Sequence, residues 1–351
     1  MSNNIDIDED VKLGILSITI LVISGMVIIF SFFAPYFFVL ESKSGIDFST
    51  TGQIGDTVGG IMNPFIAISG VLLTFLAFYI QFRANRLQRK LFRLELNEQK
   101  EQFKKNQVEN QFYEMLRLHK ENVNELQIEN TISGFNVNGR RVFEFFIKEF
   151  ELCYKIARYN FPDSPVKDVV NEAYGVFFHG INDGITHKHI FFKQIYDIRT
   201  EHRFANYKYL QNNIRNKINI DLGYELNYPI LLGYSSKLAH YYRHLFQTVK
   251  FIANNDNELI TYEDKRRYLR ILRAQLSNQE QVMLFYNWLS DFGRQWENQT
   301  NRFFTDFRMI HNIYQDLLLP EVELTKLIDL NGSFLKEKDR KVDHLFEFQD
   351  W

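Results

Sequence analysis

The chain has 351 residues, 45% of them hydrophobic, with 34 Phe and 18 Tyr and a formal net charge of −2. That is material for two domains with buried cores, and it argues against a generally basic protein that coats nucleic acid. The single cysteine, Cys153, excludes an internal disulfide framework, as expected where the bulk of a chain lies in a reducing compartment.

An acidic segment, "MSNNIDIDEDVK" (1–12), precedes 28 residues without a charge, "LGILSITILVISGMVIIFSFFAPYFFVL" (13–40). At ~1.5 Å per residue that stretch exceeds a ~30 Å hydrocarbon layer. It is too long for a signal-peptide core, has no basic flank and is followed by no small-residue cleavage site. A retained transmembrane helix is expected, with Pro35 and the aromatics Phe32, Phe33, Tyr36, Phe37 and Phe38 at its far interface.

A loop, 41–56, leads to a second apolar stretch, 57–82, which ends in "RANRLQRKLFR". Arg83, Arg86, Arg89, Lys90 and Arg93 therefore follow the span directly, whereas the loop holds one Lys and three acids. Positive charge beside a span marks the cytoplasmic side, so both termini are expected in the cytoplasm. No later stretch is long and apolar enough for a third span.

Read at helical spacing, the second span gives Asp56, Gly60, Asn63, Ala67, Gly70, Thr74, Ala77 and Gln81, every one small or polar, while the positions between are mostly bulky. The first span has an echo at Ser17, Ser24 and Ser31. Such a stripe permits close helix packing, or it lines a polar path between several copies. Asn63 and Pro64 add a choice. Either the regular helix starts at Pro64 behind a glycine-rich lead-in at 53–62, with Asn63 as its cap, or it runs unbroken from residue 57 and bends where Pro64 frees the Gly60 carbonyl.

Residues 83–127 are polar and helix-favouring, without Gly or Pro, and predict a long helical stalk. A coiled-coil register through Leu87, Leu91, Leu94, Val108, Phe112 and Met115 is interrupted by Glu98, Glu101 and Lys105, so a solvated stalk is expected in place of a zipper. Turn signals lie at 134–141 and 160–165, and 179–189 reads as a loop. Helical patterns cover 142–159, 166–178, 190–216, 231–254, 264–292, 300–314 and 320–330. The fold class is mainly α: a two-helix transmembrane hairpin, the stalk, and an all-α cytoplasmic domain over 128–351.

Chemical motifs are scarce. His240 and His244 lie one turn apart in "HYYRH" without the carboxylate of a zinc-protease helix. His179, His187 and His189 fall in the loop. No phosphate-binding loop, dinucleotide fingerprint or nucleophile elbow occurs. The Arg/His pairs Arg199/His202 and Arg308/His311 are too close for a helical ribonuclease, and the basic runs at 140–141 and 265–267 read as solvated faces. No catalytic residue, cofactor, metal or small-molecule substrate is expected.

Four blocks carry a resemblance: "GDTVGGIMNPF" (55–65), "NQFYEMLRLHKENVNEL" (110–126), "LAHYYRHLFQTVKFI" (238–252) and "RRYLRILRAQLSNQEQVMLFYNWLS" (266–290). In this order they resemble the bacterial family of putative phage abortive infection proteins, AbiC-like, over about residues 50 to 300. The resemblance implies a two-span inner-membrane protein of anti-phage defence, in which infection triggers arrest or death of the cell. Related two-span effectors look similar to toxins encoded beside retron reverse transcriptases, which would make such an enzyme and its DNA–RNA hybrid partners. Other implied partners are the lipid bilayer, further copies of the chain, or a protein that represses it. The family's polar motif positions fall on His119, Asn122, Arg243, His244, Arg273, Gln275, Ser277 and Glu280. The last four are expected on one helix, with Arg273, Ser277 and Glu280 on one face, joining helices through an internal network or lining a sensing pocket. Two other functions compete with membrane damage: a membrane-tethered nuclease or other toxin enzyme, and a non-toxic sensor or scaffold.

Overall fold

The computed structural model describes residues 14–40, 51–130, 134–181, 230–324 and 345–347. The acidic segment 1–12, most of the loop 41–56, His187 and His189, the helical pattern at 190–216 and positions 325–330 lie outside the described residues. The chain forms two compact units, Met1–Phe103 and Lys104–Trp351.

In the first unit, α1 (Ile15–Leu40) carries Pro35 inside it, and α2 (Thr51–Asn124) carries Pro64. Both are long and apolar enough to cross a membrane. The helix of the second apolar stretch does not start at Pro64. Residues 53–62 are helical and Asn63 is no cap, so the unbroken reading holds. Proline costs such a helix one hydrogen bond and crowding against the preceding turn, a loss that apolar spans tolerate.

α1 packs along Ser17, Ser24, Ser31 and Ala34, all at most 1% exposed. Its partners on α2 are Phe65, whose ring meets Phe30 edge-on at 5.2 Å, Ser69, whose hydroxyl donates to the Ser24 carbonyl at 3.5 Å, and buried Leu76. The serines of the first span are thus its contact line, since small side chains let the backbones approach.

In the second unit the last turns of α2 act as a core helix. Phe112 is fully buried against Tyr268, with ring centroids 5.3 Å apart, Tyr268 donates to Glu109, and Lys105 pairs with Asp264 at 3.6 Å. The solvated stalk therefore ends earlier than residue 127. Next comes a short antiparallel hairpin, β1 (Gln127–Asn130) with β2 (Phe135–Asn138), paired Gln127 to Asn138. The fold is mainly α, as expected, and this hairpin is the one strand pair it adds among the described residues. A 3-10 turn, Gly139–Arg141, leads into α3 (Val142–Asn160) and α4 (Val166–His179), followed by α5 (Ser235–Ala253), α6 (Tyr262–Arg273) and α7 (Asn278–Leu289). Aromatic rings fill the space between them, among them Phe150 on Tyr286 at 4.5 Å and Phe146 on Tyr234 at 4.6 Å.

The expected helix 264–292 is two helices, α6 and α7. Ser277 and Glu280 form a reciprocal capping box that starts α7, so the chain turns at Ala274–Leu276. The expected helix 300–314 is a series of turns. There the buried Glu297 carboxylate accepts from the backbone N–H of Phe304 (2.8 Å) and Thr305 (3.1 Å) and from the Thr305 hydroxyl, holding donors that a helix would use.

A backbone clamp joins the end of α4 to the approach to α5. Ile181 N–H donates to the Leu231 carbonyl at 3.0 Å and Tyr234 N–H to that of Phe178 at 2.8 Å. Gly180 (φ 80°) and Gly233 (φ 84°) make this crossing possible, because a Cβ on either would lie within 2.4 Å of the opposing backbone. Buried Glu149 secures the crossing by accepting from Leu231 N–H (2.7 Å) and Tyr234 hydroxyl (2.5 Å).

Candidate functional site

Two sets of residues were singled out by sequence, and each lies within one unit. In the second unit, the C-terminal turns of α2 present His119 and Asn122, α5 presents His240, Arg243 and His244, and the junction of α6 with α7 presents Arg273, Gln275, Ser277 and Glu280. Most of these join in one chain of contacts. His240 Nε2 lies 3.3 Å from Asn122 Oδ1. His119 stacks on His244 with ring centroids 6.2 Å apart and planes at 16°, and it meets Tyr241 at 5.3 Å. The Tyr241 hydroxyl donates to Glu280 Oε1 at 3.2 Å.

Glu280 is the anchor of this layer. It is fully buried, and its Oε2 accepts from Ser277 N–H at 2.7 Å and from Arg140 Nε at 2.9 Å. Arg140 also donates to the Gln275 carbonyl at 2.5 Å. A buried carboxylate is tolerable only when its lone pairs are occupied in this way. Burial, and then the Glu280 charge, raise the Tyr241 phenol well above its ordinary value, so it remains a donor.

His119 differs from its neighbours. It is 1% exposed, yet neither ring nitrogen has a hydrogen-bond partner among the described residues. Burial first, then the nearby His244 and Arg140, push its pKa down to about 4, so the ring is neutral at pH 7. His244 shifts down for the same first reason, with His240 as the second cause. Among the described residues no group of three His, Cys, Asp or Glu side chains is placed to hold a metal ion.

Two motif residues stand apart. Arg243 is exposed, and Arg273 donates to the Arg308 carbonyl at 3.3 Å, tying α6 to the C-terminal turns. Arg273, Ser277 and Glu280 therefore do not share a helix face, because the capping box puts a turn between them. Sequence reasoning missed Arg140, read there only as part of a basic run, and Tyr241. The Ser-x-x-Glu spacing at 277–280 was the available signal for the break.

In the first unit the small stripe does not face α1. Asp56, Gly60, Asn63, Pro64, Ala67, Gly70, Thr74, Ala77 and Gln81 are all exposed, whereas the α1-facing line runs through Phe65, Ser69 and Leu76. At 3.6 residues per turn, Ala67 and Ser69 point about 160° apart, so the stripe lies on the far side of the hairpin. There, Ala67, Gly70 and Thr74 form the floor of a shallow groove walled by Val71, Phe75 and Phe78.

Residues 233–318 match the family described as "Putative phage abortive infection protein". The matched segment is similar to this family. It spans about a quarter of the chain and runs from the clamp glycine Gly233 through α5, α6 and α7 into the C-terminal turns. Of the four blocks noted in the sequence, 238–252 and 266–290 lie inside the matched segment. His244, Arg273, Gln275, Ser277 and Glu280 lie there too, while His119, Asn122 and Arg140 reach it from outside the matched range. No curated protein and no solved structure matches the chain. The association with a retron finds no support in these comparisons.

Proposed function

We propose that the chain is an anti-phage effector of the bacterial inner membrane that causes abortive infection by damaging the membrane through its two spans. The family match supplies the defence context. The observation that carries the mechanism is the outward-facing stripe. A hairpin that only anchored a domain would need small residues where α1 meets α2; here a second set, from Gly60 to Gln81, faces away from α1. Close approach of further copies along this stripe would bring Asp56, Asn63, Thr74 and Gln81 together at membrane depth, where polar groups face a bundle interior. The helical second unit then acts as the part that senses infection or is held silent by a partner, whether a repressing protein or a reverse transcriptase with its hybrid.

One observation favours a second reading, a membrane-tethered toxin enzyme: the buried His119 with both ring nitrogens unsatisfied beside His244. Expression of residues 95–351 without the spans separates the two. Membrane damage predicts that growth arrest disappears with the spans. Arrest that persists, and is lost in His119→Ala or His244→Ala, would establish the enzyme instead. A non-toxic scaffold predicts no arrest from the full chain expressed alone.

A further inference from the structure

The α1-facing line of α2 has a continuation beyond the hairpin. From Phe65 it passes Ser69, Leu72, Leu76 and Tyr79 and then, in the same alternating steps of four and three, reaches Arg83, Arg86, Lys90 and Arg93. Gly14, just before α1, lies at Arg83: a Cβ on it would be 3.2 Å from Arg83 Nη1. So α1 covers this face up to Arg83, and past that level the face is cationic. Arg86, Lys90 and Arg93 are exposed, Arg89 stands beside them, and the sequence has no acid between Asp56 and Glu95. Tyr79, Phe82, Leu87 and Leu94 line the same cleft, so its cations have apolar surface next to them.

We infer that this cleft is a binding site for the phosphate headgroup of an anionic glycerophospholipid in the leaflet where the spans emerge. The inference rests on the reading that α1 and α2 cross the membrane. A guanidinium offers paired donors to phosphate oxygens, and cations immediately beyond a span meet the anionic lipid surface at short range. The apolar flank matches this occupant in particular. Tyr79 and Phe82 sit at the membrane end of the cleft, where acyl chains leave the headgroup, while Arg86, Lys90 and Arg93 follow at ~1.5 Å per residue into the headgroup layer. Three exposed cations at roughly fivefold each give a preference for anionic over zwitterionic lipid on the order of 100-fold.

The experiment uses the purified full chain in a non-ionic detergent, relipidated with equal phosphatidylglycerol and phosphatidylcholine, with retained lipids counted by native mass spectrometry. The wild type is expected to retain phosphatidylglycerol, and Arg86→Gln/Lys90→Gln/Arg93→Gln to lose it by on the order of 100-fold with phosphatidylcholine unchanged. The control Lys100→Gln/Lys104→Gln/Lys120→Gln removes the same charge farther along α2 and is expected to bind like the wild type. Equal retention by the wild type and the first triple variant overturns the site. Displacement of the lipid by millimolar inorganic phosphate makes it a free-phosphate site and overturns the lipid as occupant. Retention that emerges only after Asp6→Asn/Asp8→Asn/Glu9→Gln/Asp10→Asn assigns the cleft to the chain's own acids, and overturns it as well. Carbonate extraction of membranes tests the spanning reading separately: a wild type that is extracted refutes that reading, while the lipid counts still decide the site.

Discussion

His119 makes the second unit sensitive to acid in a direction the structure fixes. Its ordinary pKa of 6.5 falls to about 4 on folding because burial disfavours the charged ring. Between those values the unfolded chain binds a proton that the folded chain refuses, so the contribution is fully present above pH 6.5 and is lost as pH falls toward 4. The loss from this one group is about 2 kcal/mol at pH 5 and about 3 kcal/mol once both values are passed. For a unit of this size that is a fall in Tm of about 4–8 °C between pH 7 and pH 5. His244 and His311, which also shift down, add to the slope with the same sign. The assay is thermal unfolding of the detergent-solubilised chain from pH 7.5 to 4.5, wild type against His119→Phe, which keeps a ring beside Tyr241 and His244 without a titrating group. The variant should lose much of the pH slope and none of the stability at pH 7.5. Parallel slopes in the two proteins would refute the reasoning.

The other stability predictions use the same measurement at neutral pH. Gly233→Ala should cost about 3 kcal/mol or more, since its Cβ would meet backbone 2.4 Å away and part the clamp between α4 and α5. Gly139→Ala has a similar positive φ but its nearest neighbour lies at 3.9 Å, so it should cost only about 1 kcal/mol; equal losses would refute the crossing. Ser277→Ala should cost about 1 kcal/mol, the worth of a cap. Glu280→Ala should cost more than that, because Tyr241 and Arg140 lose their acceptor together with the cap.

Helices with one apolar stripe were legible from spacing alone. The pattern at 142–159 became Val142–Asn160, and that at 166–178 became Val166–His179. Spacing failed where burial is not one-sided. Phe303, Phe304, Met309 and Ile310 are almost wholly buried, so their pattern mimics a helix while Glu297 claims the backbone donors. The break between α6 and α7 was encoded locally, at Ser277 and Glu280, inside a run that otherwise favours helix throughout. The site residues were legible as types but not as neighbours. His119 meets His244, and Arg140 meets Glu280, through pairings more than a hundred residues apart in sequence, which no local pattern encodes. The same holds for the small stripe: its composition was plain in the sequence, but which way it faces depended on Ser69 and Leu76 packing against α1.

Membrane-potential dye uptake in cells expressing the full chain tests the central claim most directly, with Gly60→Leu and Asn63→Leu as the comparison. A Cβ at Gly60 meets nothing within 4 Å, so the leucine leaves the hairpin intact and blocks only what approaches the stripe from outside. The account predicts that the potential collapses as growth stops in the wild type, and that both variants keep their potential and grow. Wild-type cells that stop growing with their potential intact would contradict it.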